Sequence, residues 1–423
     1  MREMKDSGIE WIGDIPADWE MIPIKYLASY NDETLAENTA PDFEFDYIEI
    51  GSVEYGKGIT AKEHMKFSQA PSRARRIVRA NDIIVSTVRT YLRAVAPITS
   101  YEDEQIVSTG FVVIRPKNIV SSFLRYAILS ENFICTVEAN STGISYPAIN
   151  ASQVVQIKIP VPSTNEQQRI ADCLDRKCAE IDAVIERTKA TIEEYRKLRQ
   201  AIVTDAVTKG VRGERALKDT GVEWIRIVPV DWEMVRGKGL FVETNTRSTT
   251  GEEELLTVSQ YTGVTPRSQK NVNMFEAESL EGYKICKVGD IAANTMWLWA
   301  GAIGVSEYEG VISPSYNLYR QSGENYNPKY LDYLLRCTPL VQCYESMSTG
   351  IRASRLRLYP QQFLSIRFPV PPMAEQVEIV VYLDKKCAEM DALIARKTAL
   401  LTEMESYKKS VIYEYVTGKK EVK

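Results

Sequence analysis

Apolar residues recur at a seven-residue spacing along two long stretches of the chain, one in its middle and one near its end. This repeat is typical of a helix that packs along a narrow apolar stripe against another helix. Each helix spans about 45 residues and is about 70 Å long if unbroken. Because each stripe alone would remain in water, we predict that the two helices pair antiparallel. The predicted seam positions are Leu174, Ile181, Ile185 and Ile192 in the first helix and Leu383, Met390, Ile394 and Leu401 in the second.

The start of the first helix carries a local signature. Pro160 and Pro162 end an extended segment, and Ser163 stands three residues before Glu166. This is the spacing of a capping box, in which each side chain satisfies a backbone N–H of the other residue. We therefore place the helix start near residue 163.

The chain contains one long internal repeat. KDSGIEWIGDIPADWEM at residues 5–21 returns as KDTGVEWIRIVPVDWEM at residues 218–234. PVPSTNEQQRIADCLDRKCAEIDAVI at residues 160–185 returns as PVPPMAEQVEIVVYLDKKCAEMDALI at residues 369–394. The period far exceeds the about 20–50 residues of a solenoid unit. The chain is therefore predicted to be two copies of one unit, related by a pseudo-two-fold.

Between the repeated ends, residues 22–159 and 235–368 match each other poorly and carry mixed patterns. Alternating or continuous short apolar runs predict strands, and a 3.6-residue period predicts short helices. The predicted strands are residues 47–54, 82–87, 110–116, 154–160, 255–261, 290–297, 315–321 and 363–370, and the predicted helices are residues 121–133 and 328–337.

The fold class that follows is α+β, with two mixed α/β domains joined by two long antiparallel coiled-coil-like helices. The predicted division is residues 1–160 for the first domain, 161–210 for the central helix, 211–370 for the second domain and 371–423 for the C-terminal helix.

The charge balance is nearly even, with 52 Lys and Arg against 57 Asp and Glu. This excludes a uniformly basic nucleic-acid binder, but not a local basic patch. No apolar run approaches the about 20 residues of a membrane span, and no apolar signal segment opens the sequence, so we expect a cytoplasmic protein without a membrane partner. The seven scattered cysteines form no CxxC pair and are expected to be reduced.

Catalytic motifs are weak in this sequence. His64 is the only histidine, which excludes a multi-histidine zinc site. Gly51–Lys57 matches GxxxxGK, but Gly58 stands where a phosphate loop has Ser or Thr, and no helix start follows. Asn327–Tyr330 lacks the second proline of an adenine methyltransferase loop. We predict no catalytic residue, metal site or cofactor in this chain. An ATP-using or DNA-cleaving enzyme that works through Gly51–Lys57 is the first alternative.

Positive charge is concentrated locally. Nine bases and only two acids lie between Lys57 and Arg93, and a second arginine cluster lies in the other half of the chain. Arginine suits bidentate contacts with guanine and phosphate. Trp297 and Trp299 alternate on one face of a predicted strand, where aromatic rings can pack against bases or sugars. Two patches at matching places in the repeat predict two DNA-binding surfaces. The predicted DNA-binding residues are Lys57, Arg73, Arg75, Arg76, Arg89, Tyr91, Arg93, Trp297, Trp299, Arg352, Arg355 and Arg357.

A structural tether whose inserts bind other proteins is the second alternative. The bases would then form a solvated face, and the tryptophans would belong to the core. The repeated Trp11, Trp19, Trp224 and Trp232 are expected to be core anchors on either interpretation.

GIEWIGDIPADWE with its copy GVEWIRIVPVDWE resembles the opening of target-recognition domains in the specificity (S) subunit of type I restriction–modification systems. PVP…NEQQRIADCLDRKCAEID and PVP…AEQVEIVVYLDKKCAEMD resemble the central and C-terminal conserved helices of that family. The resemblance covers essentially the whole chain, in the order variable, conserved, variable, conserved.

This resemblance implies a subunit that reads a bipartite double-stranded DNA sequence, one half per variable domain. The helix pair would fix the gap between the half-sites and dock two adenine-N6 methyltransferase subunits, which carry S-adenosylmethionine. Two restriction subunits that use ATP and Mg²⁺ would complete the nuclease, although a methylation-only system fits equally well. The family has no fixed set of base-reading residues, so the candidate residues above come from charge and periodicity alone.

Overall fold

The computed structural model describes residues 2–10, 12–270, 279–350 and 356–422. The chain forms two compact units: unit 1 contains Met1–Lys189 and Ala399–Lys423, and unit 2 contains Ala190–Thr398. Both units are therefore built from residues of both long helices, and the units cut across the predicted division into domains and helices. In the described residues, no helix has the length and apolarity needed to cross a membrane.

Both units contain helices and strands. The helices are α1 Ser121–Leu129, α2 Glu131–Ala139, α3 Ala151–Val154, α4 Thr164–Lys209, α5 Gly237–Leu240, α6 Pro328–Leu335, α7 Thr338–Met347, α8 Pro360–Ser365 and α9 Met373–Val416. The strands of unit 1 are β1 Met4–Asp6, β2 Asp14–Pro16, β3 Glu20–Pro23, β4 Ala28–Tyr30, β5 Glu44–Ile48, β6 Val53–Glu54, β7 Gly58–Ile59, β8 Glu63–Lys66, β9 Ala74–Ile77, β10 Ile83–Ser86, β11 Val95–Pro97, β12 Ile106–Ser108, β13 Phe111–Pro116 and β14 Lys158–Val161. The strands of unit 2 are β15 Leu217–Asp219, β16 Ile227–Pro229, β17 Glu233–Arg236, β18 Phe241–Glu243, β19 Leu256–Ser259, β20 Gly263–Pro266, β21 Lys284–Cys286, β22 Ile291–Ala293, β23 Ile303–Val305, β24 Gly310–Ile312, β25 Asn317–Gln321 and β26 Arg367–Val370.

The two long helices, α4 and α9, have 46 and 44 residues. At the start of α4, the Glu166 N–H donates to Ser163 Oγ over 3.4 Å, which is half of the predicted capping box. The other half does not form, because the Glu166 carboxylate accepts hydrogen bonds from Arg2 and Trp19 instead.

In each unit an ion pair joins α4 to α9. In unit 1, Lys408 of α9 donates to both carboxylate oxygens of Asp182 of α4, at 2.7 Å each. In unit 2, Arg199 Nε of α4 lies 3.0 Å from Asp391 Oδ1 of α9. The later partner on α4 meets the earlier partner on α9, so the helices run antiparallel, as predicted.

These two ion pairs are counterparts in the repeat. Asp182 and Asp391 occupy the same position of the repeated helix sequence, and Arg199 and Lys408 occupy another. Each acid pairs with the base of the opposite helix. The helix of one repeat is therefore completed by the helix of the other, in both units.

The predicted seam positions are shielded from water to different degrees. The first-helix positions and Leu383 are buried, whereas the remaining second-helix positions are half-buried. The buried ones are Leu174, Ile181, Ile185, Ile192 and Leu383; the half-buried ones are Met390, Ile394 and Leu401.

The two variable regions each contain a four-stranded sheet with the same strand order, despite their poor sequence match. Unit 1 contains a four-stranded sheet in the order β11-β10-β13-β4, and unit 2 contains one in the order β23-β22-β25-β18. All neighbours in these two sheets are antiparallel. Unit 1 has a second four-stranded sheet, β8-β5-β12-β9, in which β5 and β12 run parallel.

A buried acid fixes the same corner of both equivalent sheets. Asp82 precedes β10, is 1% exposed and accepts from Arg115 Nε and Nη2 at 2.9 and 2.8 Å. Asp290 precedes β22, is 1% exposed and accepts from Arg320 Nε and Nη2, both at 2.7 Å. A buried carboxylate needs such a bidentate partner, because an unpaired one costs several kcal/mol.

The repeated tryptophans anchor each N-terminal segment to its long helix. Trp19 is buried, and its indole N–H donates to Glu166 Oε2 at 3.1 Å. Trp232 is buried and donates to Glu375 Oε2, also at 3.1 Å. A repeat-equivalent arginine binds each glutamate and lies over the indole ring: Arg2 in unit 1 and Arg215 in unit 2. Trp224 is half-buried, and Trp11 lies outside the described residues.

Several predicted elements were wrong in extent. The predicted strand 154–160 is the end of α3 followed by β14, and the predicted strand 363–370 is the end of α8 followed by β26. The predicted strand 290–297 ends at Ala293. The predicted helix 121–133 breaks at Ser130 into α1 and α2. For the first two segments, a short apolar run reads the same for a strand and for a buried helical turn.

Candidate nucleic-acid interface

An exposed tip is formed in unit 1 by two loops. The first, residues 87–94, joins β10 to β11 and contains a 3₁₀ turn at Thr90–Leu92. The second, residues 141–148, follows α2 and is closed by two backbone hydrogen bonds of 2.9 Å between Thr142 and Ala148. We call residues 87–94 together with 141–148 the tip of unit 1.

Unit 2 repeats both loops. Residues 294–302 join β22 to β23 and contain a 3₁₀ turn at Leu298–Ala300. The loop after α7 is closed by two backbone hydrogen bonds of 3.0 Å between Thr349 and Arg357. The serine before each closing threonine caps the preceding helix in the same way, since its hydroxyl donates to the carbonyl oxygen four residues back over 2.7 Å. The inserts thus present equivalent loops, as the paired patches predict.

Arg89 and Tyr91 lie at the tip of unit 1. Arg89 has a φ of 50°, in the left-handed region that few side chains adopt, and it caps the 3₁₀ turn. Within the described residues, no acid lies within ion-pair distance of its side chain. Tyr91 is exposed. Both side chains are therefore available to a ligand.

Arg93 is committed to the protein instead. Its guanidinium forms a bidentate pair with Glu138, at 3.0 and 2.7 Å, and a further pair with Glu131 at 2.5 Å. Glu131 also accepts from Tyr55 and lies 3.1 Å from Lys409 of α9. Burial alone raises the pKa of Glu131, but hydrogen bonds from Arg93, Lys409 and Tyr55 outweigh burial and hold the pKa below its usual range. The expectation that Arg93 faces DNA is corrected here: it braces the tip against α2.

Most other bases of the Lys57–Arg93 segment are also paired. Lys57 binds Glu54, Arg73 binds Glu49, Lys62 binds Glu102, Lys66 binds Glu44 and Arg79 binds Glu33 and Glu104. All of these acids lie outside residues 57–93 in the sequence. The local excess of positive charge in the sequence is therefore largely neutralised in the folded protein.

Arg75 and Arg76 lie on β9 without an acidic partner among the described residues. The Arg75 guanidinium lies 4.7 Å from the ring centre of Phe67. Arg76 is half-buried, its Nε has no hydrogen-bond partner, and burial lowers its pKa. A cation kept away from water in this way gains from an approaching anion.

The two tryptophans of unit 2 lie in a turn, not on a strand. Trp297 precedes the 3₁₀ turn and Trp299 lies within it. Their rings stack with centres 5.8 Å apart, and Trp297 is 50% exposed. The strand prediction was therefore wrong, although the rings do share one surface. Arg357 is exposed at the closed loop, and Arg352 and Arg355 lie outside the described residues.

Gly51–Lys57 does not build a phosphate loop. The segment leads into a tight hairpin of β6 and β7, with Gly56 and Gly58 at φ of 78° and 79°. No helix N-terminus follows it, and Lys57 pairs with Glu54 at 2.5 Å. The geometry is that of a glycine-rich turn.

Metal-ligating groups do not cluster in the part of the chain that the structure describes. His64 is exposed between Asp46 and Glu44, and the hydrogen bond to Asp46 raises its pKa. All seven cysteines lie in the described ranges as free thiols.

Comparison with known proteins finds similar proteins for most of the chain. Residues 16–194 match the family model described as the type I restriction modification DNA specificity domain. The MjaVIII type I restriction enzyme specificity subunit of Methanocaldococcus jannaschii is 23% identical over 432 residues, covering 97% of this chain and 94% of that protein. A second specificity subunit of the same organism is 22% identical and covers 97% of this chain and 96% of its own length.

Residues 16–194 of this chain are therefore similar to the type I DNA specificity domain, and the two relatives that span the chain are specificity subunits.

A solved structure agrees with this likeness at the level of fold. The matched chain comes from a structure on the complex assembly and conformational transition of the type I R-M system. It aligns with a TM-score of 0.71 and 21% sequence identity, and the alignment covers 96% of this chain and 99% of that chain. The likeness of residues 16–194 to a DNA specificity domain indicates a role in sequence-specific DNA recognition. The family match ends at residue 194, and the internal repeat extends the same architecture to the second half.

Charge and periodicity missed several exposed tip residues of this chain. Ile144 and Tyr146 are among the most exposed large apolar side chains of the protein, and Met296 lies exposed beside Trp297. A sequence signal points only to Ile144, which belongs to the repeated Ser-Thr-Gly-Ile at residues 141–144 and 348–351.

Proposed function

We propose that this chain is a specificity subunit that reads a bipartite DNA site, with the variable region of each unit contacting one half. Phosphate contacts position such a reader and base contacts set its sequence preference. The helix pair α4 and α9 fixes the gap between the half-sites and docks the methyltransferase subunits.

One observation carries this proposal: the same pair of loops recurs on two equivalent sheets with different exposed side chains. The turn after β10 presents Arg89 and Tyr91, and the turn after β22 presents Met296 and Trp297. A shared backbone with unlike side chains is what two readers of unlike sequences require.

The length of the helices supports a spacer role. With 46 and 44 residues, α4 and α9 extend over about 65–70 Å. Two readers on the same side of B-DNA are spaced by about 34–36 Å or a multiple of it. The helices are long enough for such a separation.

The partners and cofactors belong to the same proposal. Two adenine-N6 methyltransferase subunits carry S-adenosylmethionine, and in a restriction complex two further subunits use ATP and Mg²⁺. This chain then supplies recognition and no catalytic group. Because its formal charge is −5, the isolated subunit binds DNA weakly, and its affinity falls steeply as the salt concentration rises. The methyltransferase subunits supply additional DNA contacts in the complex. Tight, salt-insensitive binding by the isolated chain contradicts this. The cytoplasmic location stays a prediction.

The proposal is tested by co-expression with the methyltransferase partner and genome-wide mapping of methylated adenines. We expect one motif made of two short specific sequences separated by a fixed non-specific gap. Replacing residues 22–159 by those of another specificity subunit is expected to change one specific sequence and leave the other intact. Methylation without a motif, or a motif unchanged by the replacement, contradicts the proposal.

A further inference from the structure

The tip of unit 1 exposes a cluster of apolar side chains. Ile144 is 104% exposed and Tyr146 is 74% exposed. Val88, Tyr91 and Leu92 expose between 37% and 53% of their area on the adjoining turn. Single exposed apolar residues are ordinary, but a contiguous group of five marks a surface that another molecule covers.

The two loops of this tip are fastened to each other. Thr90 Oγ1 donates to Ser141 Oγ at 2.9 Å, and Val88 bridges Ala148 in a short antiparallel contact. The Ile149 N–H donates to the Thr87 carbonyl at 2.9 Å. The apolar side chains are therefore held on a firm support.

The support continues into the body of unit 1 through Arg93. Arg93 has a φ of 52°, and the repeat-equivalent turn of unit 2 uses Gly301, with a φ of 87°. A non-glycine residue in this region is strained, and such strain concentrates at functional sites. The pairs from Arg93 to Glu131 and Glu138 hold the strained turn in place.

Unit 2 places exposed apolar groups at the equivalent turn. Met296 and Trp297 are 46% and 50% exposed, and Trp299 stacks beneath Trp297. Exposed apolar side chains thus occur at the same turn in both units, although the two variable regions match poorly in sequence. The apolar tip is therefore a feature of the shared fold.

DNA is the occupant that this surface fits, given the proposed function on which the inference rests. Proteins that unstack duplex DNA insert Ile, Leu, Met or Phe between base pairs, next to arginines that contact the backbone. The apolar side chains of the tip of unit 1 adjoin Arg89, which has no acidic partner in the described ranges. A methyltransferase that modifies a base must take that base out of the stack.

We propose that the tip of unit 1 is a wedge: Ile144 and Tyr146 enter the base stack beside the target adenine of one half-site and help it to flip out. Trp297 of unit 2 does the same in the other half-site. Recognition and base extrusion are thereby coupled, because the wedge enters only when the flanking bases have been read.

The test uses the complex of the full chain with its methyltransferase subunits and a duplex carrying its mapped site. The variant Ile144→Ser with Tyr146→Ser is expected to slow methylation of one of the two target adenines by about tenfold or more, and to abolish the fluorescence rise of 2-aminopurine placed there. Methylation of the other adenine is expected to remain unchanged, which also shows that the variant folds and assembles. Trp297→Ser is expected to give the converse pattern.

Two further arms separate a wedge from a simple contact. An abasic residue opposite the affected adenine, which removes the cost of unpairing, is expected to restore the rate of the Ile144→Ser, Tyr146→Ser variant. The matched control is Tyr101→Ser, because Tyr101 is 85% exposed in unit 1 beyond the opposite end of β11. This control is expected to behave as the wild type.

Unchanged methylation in the tip variant overturns the wedge, as does loss that the abasic duplex does not restore. Failure of the tip variant to bind methyltransferase subunits also overturns it and assigns the patch to protein docking. If the wild-type complex itself methylates without a motif, the proposed function fails. If the wild-type complex methylates a specific motif and the tip variant methylates it at the same rate, the wedge is wrong and the proposed function stands.

Discussion

At the scale of single residues, ion pairs decide which bases of the variable region can meet DNA. Arg93 and Arg79 are held by glutamates, whereas Arg75, Arg76 and Arg89 have no acidic partner among the described residues. The excess of bases in the sequence was therefore a poor guide to the charge of the surface.

Arg93 combines backbone strain with two ion pairs, and the two effects can be separated by substitution. Arg93→Ala removes the pairs and keeps the strain, while Arg93→Gly removes both. We expect Arg93→Ala to be the less stable variant by about 1 kcal/mol, the cost of a side chain in the left-handed region. Thermal unfolding of the two variants measures the difference. Equal melting temperatures contradict the strain.

Glu33 makes the acid stability of unit 1 measurable. Hydrogen bonds from Arg79, and then from Arg115, lower the pKa of Glu33 to about 2 from an ordinary 4.5. A carboxylate whose pKa is depressed in the folded state stabilises above its unfolded pKa, and that stabilisation is lost as the pH falls through the folded pKa. In urea titrations between pH 5 and pH 2, Glu33→Gln is expected to have a shallower loss of stability than the wild type. Glu63→Gln, which removes a carboxylate that forms no ion pair within the described ranges, serves as the control and should follow the wild type.

At the scale of elements, the long helices were the most predictable part of the fold. Their seven-residue period extends over many turns, and a pattern that long fits a helix and not a strand. The repeat also predicted where equivalent loops occur. The short strands were less predictable, because Val154, Phe363 and Leu364 are apolar residues of helical turns that lie just before a strand.

The site could be predicted only in part, for a physical reason. Trp297 and Arg89 were found because aromatic and basic residues stand out in a sequence. Ile144 was missed, since isoleucine ordinarily belongs to the core and its exposure depends on how the loop is closed. The commitment of Arg93 depends on acids about 40 residues away, which no local pattern shows.

The helix pair makes a prediction about spacing. Deleting residues 186–192 of α4 with residues 398–404 of α9 removes one seven-residue repeat from each helix at facing positions. The pair is expected to shorten by about 10 Å, so the non-specific gap in the methylated motif should shorten by about three base pairs. Mapping methylated adenines in cells with the variant measures the gap.

A length-preserving variant controls for this deletion. Glu186→Ala lies in the same region and is expected to leave the gap unchanged. If the deletion variant methylates the original motif with its original gap, the helices do not set the spacing.

At the scale of the whole molecule, unit 1 is built from two separate stretches of a duplicated chain, and both units contain residues of both long helices. Unit 1 needs the last residues of α9, where Val411, Tyr415 and Val416 share a core with Trp19 and Leu174. Unit 2, by contrast, is one continuous segment, Ala190–Thr398. Each long helix contributes residues to both units. The duplicated chain therefore keeps two recognition regions on one scaffold, and the loops of these regions can differ in sequence.

This arrangement fixes an order of events during synthesis. The first half of the polypeptide leaves the ribosome with an unfinished core, and that core is completed only after residues 411–418 of the chain, which include Gly418 beside Pro16, have been synthesised. The middle segment can mature while the ribosome is still at work. A stop codon just before Val411 would therefore remove part of the core of unit 1, which was made first, and leave the segment Ala190–Thr398 of unit 2 complete.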